Sequence, residues 1–211
     1  MYNENMMTFK SLLVSSLTLS VGAIVLNIGR LGLDKHIPYA WLNWNLFLAL
    51  IPLFFAWTFT RTKNIYLKLL YFLLWIGFLP NAPYIVTDFI HLADVGPKSI
   101  LWYDAIMIFL YTLSGIIVWV GSTYLIKRNM KFNEWFILFI GALSGFGLYL
   151  GRYIRFNTWD FLTNPLDVFS IIGEIFIYPS RHEPIVLMTL VTTFIFFLFF
   201  KLLSYNEKTN D

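Results

Sequence analysis

Apolar residues come in long unbroken runs along the chain, without the strict alternation of strands or the three-to-four-residue stripe of water-facing helices. The runs cover about Phe9–Ile28, Trp41–Thr60, a stretch opening at Ile65, Ile100–Ile126, Glu134–Gly151 and Pro184–Leu203. A helix needs roughly 20 apolar residues to cross a bilayer, so the pattern predicts an all-α membrane bundle of about six transmembrane helices. One membrane domain is expected over residues 9–204, with short polar tails at 1–8 and 205–211. Lys10 precedes the first run as in a secretory leader. No small-x-small cleavage site follows it, so this helix is expected to be retained.

The third run is interrupted. Ile65 to Leu79 is fifteen residues, about 22 Å of helix at 1.5 Å per residue, short of the roughly 30 Å hydrocarbon core. Pro80 and Pro83 therefore fall at membrane depth. Each removes a backbone donor and crowds the carbonyl four residues before it, and Ala82 is steered away from helical angles by the proline that follows. The expectation is a third helix broken at Pro80/Pro83. Such backbone is tolerated only where it is buried in protein or lines a polar cavity. Beyond the break, Tyr84, Asp88, His91 and then Asp94 or Val95 recur at helical spacing as one polar stripe.

Between the fifth and sixth runs lies "NPLDVFSIIGEIFIYP". Asn164 suits a helix cap, Pro165 the first helical position, and Asp167 the positive end of the dipole. Leu166, Phe169, Ile172, Ile175 and Phe176 are placed on one face, with Asp167, Ser170 and Glu174 on another. An amphipathic helix at the outer interface fits this pattern, and so does a lid over the bundle.

Composition agrees with a membrane protein. Of 211 residues, 58% are hydrophobic and 13% charged, with a mean hydropathy of +0.68. The basic residues sit in short clusters between apolar runs, as orientation charge does, so nucleic acid is not an expected partner. Six spans place nine Lys and Arg on the side of both termini and six on the other, which predicts cytoplasmic termini. Eight of the twelve carboxylates and all three histidines, His36, His91 and His182, then fall on the outer side. With no cysteine, thiolate chemistry and disulfides are excluded.

Three stretches converge there. The first holds Asn81, Tyr84, Asp88 and His91. The second is "WYDAIMIF", where Tyr103 and Asp104 open the fourth span. An Asp there complements the helix dipole, but an ionisable group within a span also marks a candidate site. The third is "GRYIRFNTWD", which carries Arg152, Arg155, Asn157, Trp159 and Asp160 at the outer end of the fifth span. Its arginines, one turn apart, are expected to point the same way. Upstream, Gly141 with Gly145, and Gly147 with Gly151, form G-x-x-x-G pairs that predict close packing and a central fifth helix. Ser144 lies within that packing face, so a serine protease is rejected.

"FLPNAPYIVTDFIHL", "WYD" and "GRYIRFNTWD" resemble the hallmark blocks of a prokaryotic family of small polytopic membrane proteins, domain of unknown function 1361. The family pattern has Trp in place of Phe156 and Ser in place of Thr158. The resemblance implies a multi-spanning protein of the bacterial plasma membrane and no particular reaction.

The residues themselves point to an outward-facing polar site. Asp88, His91 and Asp104 are the candidate catalytic groups. Asn81, Tyr84, Tyr103, Arg152, Arg155, Asn157, Trp159 and Asp160 are the candidate ligand-binding groups. Paired guanidiniums suit a phosphate or carboxylate, as on an anionic lipid or cell-envelope precursor. A metal held by Asp88, His91 and Asp94 is disfavoured, since three such positions span too wide an arc and one histidine is meagre for zinc. No cofactor is expected. Membrane lipids are the expected partners, and a homo-oligomer is compatible with the pattern. A transporter built on the broken helix, or a non-catalytic assembly protein, are the competing functions.

Overall fold

The computed structural model describes residues 9–33, 39–93 and 98–204. The expectations for both tails and for Asp34, His36, Asp94 and Val95 lie outside the described residues. Every regular element within them is helical: α1 (Phe9–Leu33), α2 (Ala40–Arg61), α3 (Ile65–Phe78), the single turn α4 (Asn81–Tyr84), α5 (Leu101–Met130), α6 (Trp135–Tyr149), α7 (Asp160–Thr163), α8 (Pro165–Ile177) and α9 (Pro184–Ser204). Six stretches are long and apolar enough to cross a membrane, the third being the composite Ile65–Leu92. The protein is a membrane helical bundle.

Two helices outrun the apolar pattern. The last turn of α5 carries Lys127 and Arg128, which complement the negative end of the helix dipole, and Lys131 closes it in the left-handed conformation at φ 56°. Helix α1 continues through Arg30 to Leu33 because Arg30 has a buried partner on α5.

The central helix is α5, not the glycine-rich fifth span that the sequence favoured. Buried residues recur along its length, from Asp104 to Ile126. It packs against α1, α2, α4 and α9, while α6 lies chiefly on α9. The reason lies in where the small residues face. On α5, Gly115 admits the backbone of Ala82 and Gly121 admits the side chain of Leu12, so partners approach from different sides. On α6, Gly141 and Gly145 face Thr193 and Thr189 of α9, whereas Gly147 and Gly151 face Pro80 and Tyr84. Polar pins join the helices: the Ser20 and Ser114 hydroxyls lie 2.9 Å apart, and Trp119 Nε1 donates to Ser144 Oγ at 2.8 Å. Ser144 in turn donates to the Ile140 carbonyl, so its hydroxyl is occupied in packing.

The interruption at Pro80 and Pro83 is a change of winding. Asn64 caps the start of α3, its side chain accepting from the Tyr66 and Leu67 amides. After Phe78 the chain makes the turn α4 and then a nine-residue 3₁₀ helix, Ile85–Ala93. Ala82 departs from expectation, since it lies inside the α-helical turn. Its carbonyl rests against Gly115 and its side chain is fully buried, so packing against α5 overrides the local preference of a residue before proline.

Helix α8 covers one flank of the bundle. Val168 and Ile175 are buried, and Ile171 and Ile172 pack with Tyr149, Leu150 and Ile185. Leu166, Phe169 and Phe176 stay exposed. Its apolar residues thus divide between the bundle and the surroundings instead of sharing one face.

Candidate functional site

Two departures from α-helical winding build the site, at the end of the bundle opposite Phe9 and Ser204. In a 3₁₀ helix, side chains three residues apart eclipse one another. The stretch after α4, Ile85–Ala93, therefore lines up Asp88 with His91. Facing it, α6 ends in a π-helical turn, Leu150–Ile154, with Arg152 at its middle. Single π turns inside α-helices recur at functional sites. Gly151 lets this turn lie against the Tyr84 ring.

Arg152 is the hub. Its Nη2 donates to Asp88 Oδ1 at 2.5 Å, and its Nε donates to Thr87 Oγ1 at 3.0 Å. The guanidinium carbon lies 4.2 Å from the Tyr84 ring centroid, and Nη1 is 3.4 Å from His91 Nε2. Asp88 is fully buried, Arg152 is 16% exposed, and Asn45 Nδ2 donates to the second Asp88 oxygen at 3.3 Å. Thr87 completes the set by donating to the Tyr84 carbonyl at 2.6 Å. The His91 ring sits edge-on to Trp41, with centroids 4.9 Å apart. A buried carboxylate is tolerable only when paired and hydrogen-bonded. Here both Asp88 oxygens are engaged.

Arg155 parts from Arg152. It closes the π turn in the left-handed conformation at φ 67°, its amide bonded to the Leu150 carbonyl. Its side chain is exposed and makes no hydrogen bond or ion pair among the described residues. The two guanidiniums expected to act as a pair are therefore divided, one neutralised inside and one open outside.

The other residues singled out from the sequence fall into two groups. Asn81 donates to Thr158 Oγ1 at 2.9 Å, the Asn157 amide donates to Asp160 Oδ2 at 2.6 Å, and Trp159 packs on Trp44 with centroids 5.9 Å apart. These form a polar and aromatic rim beside the Arg152 cluster. Tyr103 and Asp104 turn instead towards α1. Tyr103 donates to the Leu26 carbonyl at 2.7 Å, and Arg30 meets Asp104 at 2.6 and 3.3 Å with both side chains fully buried. Asp104 thus serves a second buried ion pair and does not orient His91.

Sequence reasoning passed over Thr87, Asn45 and Arg30. Asn45 carried a signal, as an amide within an apolar run. Thr87 lay unremarked beside Asp88, and Arg30 reads as an ordinary flanking charge at the end of a span.

Below the rim, a cleft of about 540 Å³ runs between α2, α3 and α6. Asn45, Asn81, Tyr84, Asn157 and Thr158 stand at its mouth, and leucines of α3 and α6 line its depth. Its volume lies within the roughly 300–1,000 Å³ of ligand pockets.

Residues 44–199 match the family described as "Protein of unknown function (DUF1361)". The match takes in the Arg152 cluster, the rim and the cleft, and leaves Arg30 outside. No curated protein and no solved structure matches the chain.

Proposed function

The chain belongs to the family of unknown function DUF1361, and from the geometry of the site we propose that this protein binds an anionic group, a phosphate or carboxylate, at the rim of the bundle. The observation that carries this is the division of labour between the two arginines. Asp88 and Thr87 engage Nε and Nη2 of Arg152, which holds the π turn against the 3₁₀ helix. That turn then leaves the Arg155 side chain exposed, immediately before Phe156, Asn157 and Thr158 of the cleft lining in the chain. Asp88, engaged on both oxygens, positions Arg152 and is not a free general base. Following the distribution of Lys and Arg, the rim faces the outside of a plasma membrane, where lipid headgroups and envelope precursors lie.

The test uses Trp44 and Trp159 at the rim as reporters in the purified protein. Tryptophan emission is followed on titration with glycerol 1-phosphate, with glycerol as the neutral control. A saturable change is expected for the phosphate only. Arg155→Ala should weaken it about tenfold or more, since a charge-assisted hydrogen bond contributes about 1.5–3 kcal/mol. Arg181→Ala, which removes an exposed arginine paired with Glu174, should bind as the wild type does. Equal weakening by both substitutions, or no saturable change, rules the proposal out.

A further inference from the structure

The cleft beneath the rim adds a second requirement on the ligand. Resting on the anion site proposed above, we infer that the ligand is a membrane lipid, its anionic head at Arg155 and one hydrocarbon chain in the cleft, entered sideways from the bilayer.

Three observations converge on this occupant. The cleft is graded in polarity, since amide and hydroxyl groups occur only towards the rim while Leu70, Leu73 and Leu143 line the part at membrane depth. It is also open along its side. Leu73 and Leu70 belong to the lining and yet are 57% and 47% exposed, so their surface is continuous with the lipid-facing side of α3. A hydrocarbon chain can move between bilayer and cleft without crossing a polar layer. Water would find few partners in the depth, where an ordered water needs two to four.

Gly77 supplies the third. It lines the cleft, and a Cβ added there would meet nothing within 4 Å. Gly147 on the facing helix is different, because a Cβ there would run into Pro80. Close packing therefore explains the glycine on α6 but not the one on α3. Gly77 keeps the cleft wide at membrane depth. The charge agrees, since the exposed Arg155, next in the chain to the lining residue Phe156, favours an anionic head over a zwitterionic one.

The experiment uses the full chain in bilayer discs of phosphatidylcholine containing phosphatidylglycerol with a photoreactive diazirine at the far end of one acyl chain. After irradiation, linked peptides are mapped by mass spectrometry. Links should concentrate at Leu73 and Leu143, above those at Val25, a lipid-facing residue of α1 that is 59% exposed. Gly77→Phe should cut the cleft links about tenfold while leaving those at Val25 and the binding of glycerol 1-phosphate unchanged. Leu143→Trp, which fills the cleft from α6, is the second variant should Gly77→Phe fail to fold. Cleft links that persist in the filled variants, match Val25 in the wild type, or give way to a crosslinked second copy overturn the lipid assignment while leaving the anion site standing. Cleft links lost on filling but indifferent to Arg155→Ala, with glycerol 1-phosphate binding equally indifferent, sink the anion site instead.

Discussion

At the scale of single residues, two buried ion pairs do different work. Arg30 and Asp104 are both fully buried, and their bond ties α1 to the central helix. Removing one partner of such a pair leaves an uncompensated charge, at a cost of about 3–5 kcal/mol. Asp104→Ala should lose stability on that scale by denaturant unfolding in micelles. Arg30→Met with Asp104→Leu should regain much of it, because well-packed apolar residues replace buried pairs at little cost. A double variant no more stable than Asp104→Ala would mean that the charges do more than hold α1 in place. The pairing was only half legible in the chain. Asp104 was visible as an ionisable group inside an apolar run. Arg30, at a helix end, looked like any flanking basic residue, and nothing local links positions 74 residues apart.

At the scale of elements, winding matters as much as sequence pattern. An unbroken α-helix from Ile65 would set Asp88 and His91 about 60° apart around its axis. The 3₁₀ stretch aligns Asp88 with His91, and the π turn of α6 brings Arg152 against them. Pro80 made the interruption legible, but the form it takes depends on neighbours, above all Gly147 and Gly115. Two glycines test this with opposite expectations. Gly147→Leu should cost about 1–3 kcal/mol or more through overpacking against Pro80. Gly77→Leu, in open space within α3, should be neutral or stabilising by up to about 1 kcal/mol. Thermal unfolding of both in the same micelle gives the comparison. Equal losses at the two positions would show that the contact of Gly147 with Pro80 does not set them apart.

At the scale of the whole molecule, ionisable groups lie at both ends of the bundle in different states. At the end holding Phe9 and Ser204, Glu134 joins three helices, with Lys201 of α9 at 2.5 Å and Lys127 of α5 at 3.4 Å. The hydrogen bond from Lys201 is the main cause holding the Glu134 carboxyl below its ordinary value, helped by Lys127 and opposed by partial burial. A depressed carboxylate contributes stability that is fully present above its unfolded value and is lost as pH falls through the folded one. Melting temperature should therefore drop more steeply in the wild type than in Glu134→Gln as pH falls below about 4.5. Salt should shrink the difference, because the glutamate side chain is 46% exposed. Identical acid limbs in the two proteins would show that this junction contributes nothing measurable.

Hydrophobic run length, proline and glycine placement and the scarcity of charge were enough to determine a six-helix membrane bundle, the interrupted third span and the existence of helix α8, though not which of its faces packs on the bundle. Each follows from local chemistry: the bilayer sets the length of a span, and proline removes a donor wherever it stands. The same reading drew Tyr84, Asp88, His91 and Arg152 into one candidate site. Only the tertiary structure decided that α5 and not α6 is central, that Asp104 belongs to Arg30, that Arg155 parts from Arg152, and that a cleft opens under the rim. Those outcomes depend on which face of each helix meets which neighbour. Helices satisfy their backbones internally, so their sequences leave these contacts open until small residues and buried charges are matched across the bundle.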